Sequence, residues 1–190
     1  LLRGSGQFRK AATVLKVGLD AAVERSDWST AEVCARNLNQ VAWVMGNLIA
    51  SEQYGSWAVQ LAKKSGNWAH VGKNLTRWAS ALHAIGRVDE AKERFKQVPA
   101  VLRKAEFVPP RDAFEAPYQC LLYCELLLDL PDTPWQAIYD RIVRSEKQNN
   151  RQDSSKRTLL GDAALRLARL MLWLKLRSSE HAATAEQVCA

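Results

Sequence analysis

The sequence predicts an all-α fold, a solenoid of antiparallel helical hairpins, and three observations carry that prediction. Glycines recur at a fixed spacing of forty: Gly6, Gly46 and Gly86. Apolar residues recur at steps of three and four on both sides of them, the period of a helix packed on one face. No segment alternates apolar and polar residues as a half-buried strand does.

The repeat extends beyond the glycines. Two positions on stand Phe8, Leu48 and Val88, and three further stand Ala11, Ser51 and Ala91. Ahead of the glycine, Leu38, Ala42 and Met45 match Trp78, Leu82 and Ile85. Self-similarity at a period of this length marks a stacked repeat. Upstream of Gly86 the stripe Val71, Leu75, Trp78, Leu82 and Ile85 predicts one helix, and Val88, Ala91, Phe95 and Val98 predict the next. The glycine between them suits a helix end, where a left-handed backbone costs little without a side chain. Asp89 and Glu90 then occupy the first turn of the following helix, favourable to its dipole. Small residues at 11, 51 and 91 allow two helices to approach closely. A hairpin of this kind has a spare apolar face that the next hairpin must cover.

After Phe107 the pattern loosens, which divides the chain into 1–108, with the forty-residue period, and 109–190, read as degenerate hairpins continuing the same solenoid. "FVPPRD" breaks the chain, and Asp112 suits the cap of a helix from Ala113 to about Leu130. "PDTPWQ" reads as a turn with Thr133 as N-cap, Pro134 at the first helical position and Gln136 completing a capping box. A helix to about Lys147 follows, then a loop, a long helix from Ser155 to Leu176 and a short one from Ser179 to Val188. About nine helices result.

The chain has 190 residues, of which 47% are hydrophobic and 25% charged, a composition that excludes wholesale disorder. No run is long and uncharged enough to span a membrane. Leu1 to Gly4 reads like the tail of a helix, so a fragment of a longer protein is expected. The net charge of +7 is concentrated in residues 141–177, where ten Lys and Arg face only Glu146, Asp153 and Asp162. That excess suggests a nucleic-acid footprint, a solvated face or a contact to an acidic neighbour.

Catalysis finds no support. His70, His83 and His181 are far apart, and no nucleophile or metal motif accompanies them. Cys120 and Cys124 stand one helical turn apart, but no His or further Cys follows at zinc spacing. With Cys34 and Cys189 they are read as reduced thiols of a cytosolic protein. No metal, cofactor or catalytic residue is assigned, and no enzyme is expected.

Leu75, Trp78, Ala79, Leu82, Gly86, Val88, Ala91 and Phe95 resemble the helical-pair signature of the tetratricopeptide repeat family. The forty-residue spacing exceeds that family's usual thirty-four, and Gly55 stands where Phe95 does in the next unit. The resemblance implies a right-handed superhelix. The runs "SWAVQLAKKSGNW", "ALHAIGRVDEAKERF", "YQCLLYCELLLD" and "NNRQDSSKRTLLGDAALRLARL" are also similar to the repeat arms of bacterial signal-transduction ATPases of the NACHT and NB-ARC type, in which the arm serves as sensor or autoinhibitory surface. No nucleotide-binding loop lies in this chain.

In such an array the first helix of each pair lines a concave wall. Off the apolar stripe stand Arg36, Asn37, Gln40 and Trp43 in one unit and Lys73, Thr76, Arg77, Ser80 and His83 in the next. Arg36 with Gln40, and Lys73 with Arg77, are four apart and share a helix face. Cations and amides on adjacent parallel helices suit a carboxylate or an extended peptide backbone. The resemblance likens Lys73, Arg77 and Asn37 to members of a carboxylate clamp. Trp43 is the anchor expected to be partly exposed, whereas Trp28, Trp68 and Trp78 are expected to pack. The expected function is a non-catalytic protein- or peptide-binding module, a cytoplasmic scaffold or sensor arm. Nucleic-acid binding through 141–177 is the alternative.

Overall fold

The computed structural model describes residues 6–104, 117–130, 134–150 and 159–177. These form eight helices and no strand among the described residues: α1 (Phe8–Glu24), α2 (Trp28–Val44), α3 (Leu48–Lys64), α4 (Trp68–Ala84), α5 (Val88–Lys104), α6 (Pro117–Asp129), α7 (Trp135–Asn150) and α8 (Leu159–Arg177). The chain divides into two compact units, Leu1–Val108 and Pro109–Ala190. The expected short helix at 179–188 lies outside the described residues.

In the first unit each helix packs on the one before and the one after it. The forty-residue hairpin is itself built of two twenty-residue units, each one helix and one turn. All five helices have seventeen residues. Every turn is centred on a left-handed residue: Gly6, Ser26, Gly46, Gly66 and Gly86, with φ of 76°, 56°, 72°, 73° and 81°. The forty-residue spacing of glycine was visible because Ser26 interrupts the glycine series midway. The four turns between these helices close in the same way. At the second, the amide of Gly46 donates to the carbonyl of Trp43 at 2.9 Å, and that of Asn47 to the carbonyl of Ala42 at 2.9 Å. This pair of bonds satisfies carbonyls that the helix end leaves unpaired.

The next residue then starts the following helix. Asp27, Asn47 and Asn67 each accept, through a side-chain oxygen, the amide three positions on, at 3.1 Å. The two hydrogen bonds from Thr30 hold the exposed Asp27 carboxyl below its ordinary range. Tryptophan follows two of these caps, as expected of packing residues. Lys64 lies over Trp28 at 4.4 Å and Lys104 over Trp68 at 5.1 Å, so the cation–aromatic contact repeats with the forty-residue period.

Burial repeats too. Ala31, Ala35, Leu38, Val41 and Ala42 of α2 are buried, and so are Ser51, Ala58, Leu61 and Ala62 of α3 at equivalent steps. Leu19, Ala22, Ala31, Ala35, Leu38, Ala58 and Leu61 form one cluster between α1, α2 and α3. In α4 and α5, Val71, Leu75, Leu82, Ala91, Phe95 and Val98 are buried as the stripes predict. Ala11, Ser51 and Ala91 are all buried, which fits their role in close helix approach. Pro99 lies inside α5 and removes one amide from its ladder.

In the second unit, α6, α7 and α8 pack pairwise around Cys120, Cys124, Leu128, Ile138, Ile142, Leu165, Ala168 and Leu172. Helix α7 starts one residue later than expected, at Trp135 behind Pro134. Gln136 does not reach back to a cap: its amide donates forward to Asp140 at 2.8 Å. Thr133, the other half of the expected capping box, lies outside the described residues.

Candidate ligand-binding wall

Helices α2 and α4 are not neighbours in sequence, yet a buried polar cluster joins them. Glu32 of α2 is only 1% exposed. Its Oε1 accepts from Arg36 Nε at 3.0 Å and from Asn74 Nδ2 at 2.8 Å. Its Oε2 lies 2.9 Å from Nδ1 of His70. Asn74 also donates to the carbonyl of Ala58 on α3 at 3.3 Å. A carboxylate this deeply buried is tolerable only when paired and hydrogen-bonded on both oxygens, as here. The Oδ1 of Asn74 has no hydrogen-bond partner. Its amide orientation is fixed nonetheless, because the flipped form would set oxygen against Glu32 and the Ala58 carbonyl.

This cluster fixes the level of one helix against the other, with residue 32 between 70 and 74. On α2 the outward stripe is then Val33, Asn37, Gln40 and Val44, at helical steps of four, three and four. On α4 it runs past Lys73, Arg77 and Ala84. Both cations of Lys73 and Arg77 lie on this wall, Lys73 exposed and Arg77 half-buried. Helix α4 contains no Asp or Glu, and Glu32, buried and held by Arg36, is the single acid of α2.

The nine residues expected to line a groove divide on this frame. Arg36, Asn37, Gln40, Trp43, Lys73, Arg77 and His83 keep exposed or half-exposed surface. Arg36 keeps 27% of its side chain exposed while its Nε holds Glu32. Thr76 and Ser80 do not lie on the surface: they are 1% and 4% exposed. The reason is helical register. They follow Gly72 at four-residue steps on the face covered by α5, where a Cβ on Gly72 would meet Leu102 at 2.6 Å. The Thr76 hydroxyl donates to the Gly72 carbonyl at 3.1 Å. Periodicity showed that both lie off the leading stripe, but not that α4 is covered on two sides.

Glu32, His70 and Asn74 as a joined set were not apparent from the sequence. The available signal was a carboxylate between Ala31 and Ala35 and an amide beside Leu75, both at buried registers. Trp78 is half-buried, and its indole Nε1 donates to Glu52 at 2.8 Å under the guanidinium of Arg94 at 4.3 Å. Trp43, by contrast, is 37% exposed at the end of the wall, beside exposed Val44 and Met45.

Among the described residues no group of three or more His, Cys, Asp or Glu is placed to hold a metal. Cys120 and Cys124 are buried with their sulfurs 3.9 Å apart. Their mutual hydrogen bond and burial push the Cys124 thiol well above its ordinary range, which keeps it protonated and unreactive. In the basic stretch, Arg169 is clamped by both oxygens of Glu146 at 2.6 Å, and Arg141 lies over the Tyr123 ring at 4.7 Å. Arg144, Lys147, Arg166 and Lys175 are exposed. No described helix is long and apolar enough to cross a membrane. Compared with known protein families, curated proteins and solved structures, the chain matches none.

Proposed function

We propose that the first unit is a non-catalytic binding module that takes an acidic protein or peptide segment along the α2–α4 wall. The observation that carries this reading is charge segregation. Arg36, Lys73 and Arg77 lie on α2 and α4, while the one carboxylate of those helices is buried and neutralised by Arg36. The other helices of the unit mix both signs. A surface of one sign favours a partner of the other and speeds its encounter. Arg36 is held in place by Glu32 before any ligand arrives, so less ordering entropy is lost on binding. The equal helix lengths and repeated turns support a tetratricopeptide-like superhelix, and with it the role of a cytoplasmic sensor or scaffold arm in a larger signalling protein.

The test is binding of acidic against neutral peptides to the wild type and to Lys73→Glu/Arg77→Glu. The expected outcome is a loss of about tenfold or more in affinity for acidic peptides, and a steep weakening of wild-type binding with salt. Unchanged affinity in the charge-reversed variant would remove the wall from the site. The exposed cations Arg144, Lys147, Arg166 and Lys175 of the second unit support a second reading, nucleic-acid binding. A labelled oligonucleotide titrated at low salt decides it: no binding there excludes it.

A further inference from the structure

The internal repeat supplies its own control for the end of the wall. The three residues before each turn residue are structurally equivalent at all four described turns. They are Val23, Glu24 and Arg25; Trp43, Val44 and Met45; Lys63, Lys64 and Ser65; and His83, Ala84 and Ile85. Folding imposes the same bonds at each turn, so folding does not require three large apolar residues there. Only the α2–α3 corner carries them, and they are 37%, 54% and 46% exposed. Exposed apolar surface gathered at one corner marks a contact site.

The corner is continuous with the cationic wall, because Val44 ends the stripe that begins at Val33. Through the level set by Glu32, Lys73 stands beside residue 33 and Arg77 beside residue 37. From those levels to Val44 are eleven and seven positions, or about 16 and 10 Å along the helix. An extended chain covers that distance in about three to five residues. We infer that the wall selects an acidic segment carrying a bulky apolar side chain about three to five residues from its carboxylates: the carboxylates meet Lys73 and Arg77 while the apolar side chain covers Trp43, Val44 and Met45. This rests on the reading of the wall as an acidic-peptide site and names the second feature its ligand must have.

The experiment uses fluorescein-labelled, end-blocked Gly/Ser peptides with one Asp-Glu pair and one Leu, the separation between them varied. Anisotropy titration of the full chain is expected to give highest affinity at separations of three to five. The gain over a peptide without Leu should be about tenfold, the worth of burying one such side chain. Val44→Ser/Met45→Ser should abolish that maximum and leave the acid-dependent binding. Lys73→Glu/Arg77→Glu should abolish both. Affinity independent of separation, or a maximum that survives in Val44→Ser/Met45→Ser, overturns this inference while the charge-reversal result upholds the wall. Failure of every acidic peptide to bind overturns the wall itself and this inference with it.

Discussion

Two residues of the first unit hold conformations or charges that their neighbours must justify. Ser26 is the one non-glycine among the left-handed turn residues, with φ of 56°. A side chain in that region costs about 1–2 kcal/mol, partly offset because glycine is more flexible in the unfolded chain. Ser26→Gly should therefore raise stability by roughly 0.5–1 kcal/mol, read as a higher urea midpoint with unchanged slope. A lower midpoint would mean that the serine hydroxyl makes a contact worth more than the strain. Glu32 presents the opposite case. Asn74 gives both its amide hydrogens to buried acceptors, one of them Glu32. Asn74→Ala leaves the buried Glu32 carboxylate with one fewer donor and takes the second bond from the Ala58 carbonyl, which keeps its place in the α3 ladder, and should cost about 1–3 kcal/mol. Urea unfolding measures it; a loss below the error of the midpoint would show that water takes the amide's place.

At the scale of the helix, side-chain size is exchanged between partners across the repeat. Leu15 of α1 packs against the cluster that holds Leu38 of α2. Forty-residue equivalence places Gly55 of α3 at the step of Leu15 in α1, and Trp78 of α4 at that of Leu38. A Cβ on Gly55 would meet the backbone Cα of Trp78 at 3.2 Å and Asn39 Nδ2 at 3.0 Å. Where leucine packs against the cluster of Leu38 in one pair, glycine thus stands against the backbone of a tryptophan in the next. Gly55→Leu should destabilise by about 3 kcal/mol or more, since backbone cannot yield as a side-chain tip can. Adding Trp78→Leu leaves that Cα and the Cβ in place and should recover little of the loss, which a double-mutant cycle reads as near additivity; recovery of about 1 kcal/mol or more would show that the indole, not the backbone, excludes the larger side chain. This explains what the sequence showed and what it hid. The glycine spacing, the apolar stripes and the small residues were readable because each obeys a local period. The twenty-residue unit was harder to see because Ser26 replaces a glycine and Gly55 replaces a bulky residue. The Glu32 cluster was hidden because it depends on α4 reaching α2 across α3, and no local pattern encodes that contact.

For the molecule as a whole, a nearest-neighbour stack makes an unusual tolerance testable. Within the first unit each helix packs chiefly against its sequence neighbours, the Glu32 cluster from α2 to α4 being the described bridge beyond them, and the four turns between the helices are built from the same bonds. Stability in such an array is a sum of helix and interface contributions, with no single contact holding the ends together. Removing residues 48–87 takes out α3 and α4 and joins Asn47 to Val88, so that the Gly46 turn leads into α5 as it led into α3. Two helices are lost, hence chain direction is preserved. The cap survives because Asn47 remains in place to accept the amide of the third residue of the new helix. The expected product is helical and unfolds cooperatively at a lower temperature than the parent, since it has two fewer interfaces. It lacks Lys73 and Arg77, so it should not bind the acidic peptides that the full chain binds. Circular dichroism melts and the anisotropy titration together decide the matter: a coil-like spectrum would show that the array cannot stand without the bridge from Glu32 to His70 and Asn74, which leaves with α4, and retained peptide binding in a folded product would move the site away from α4.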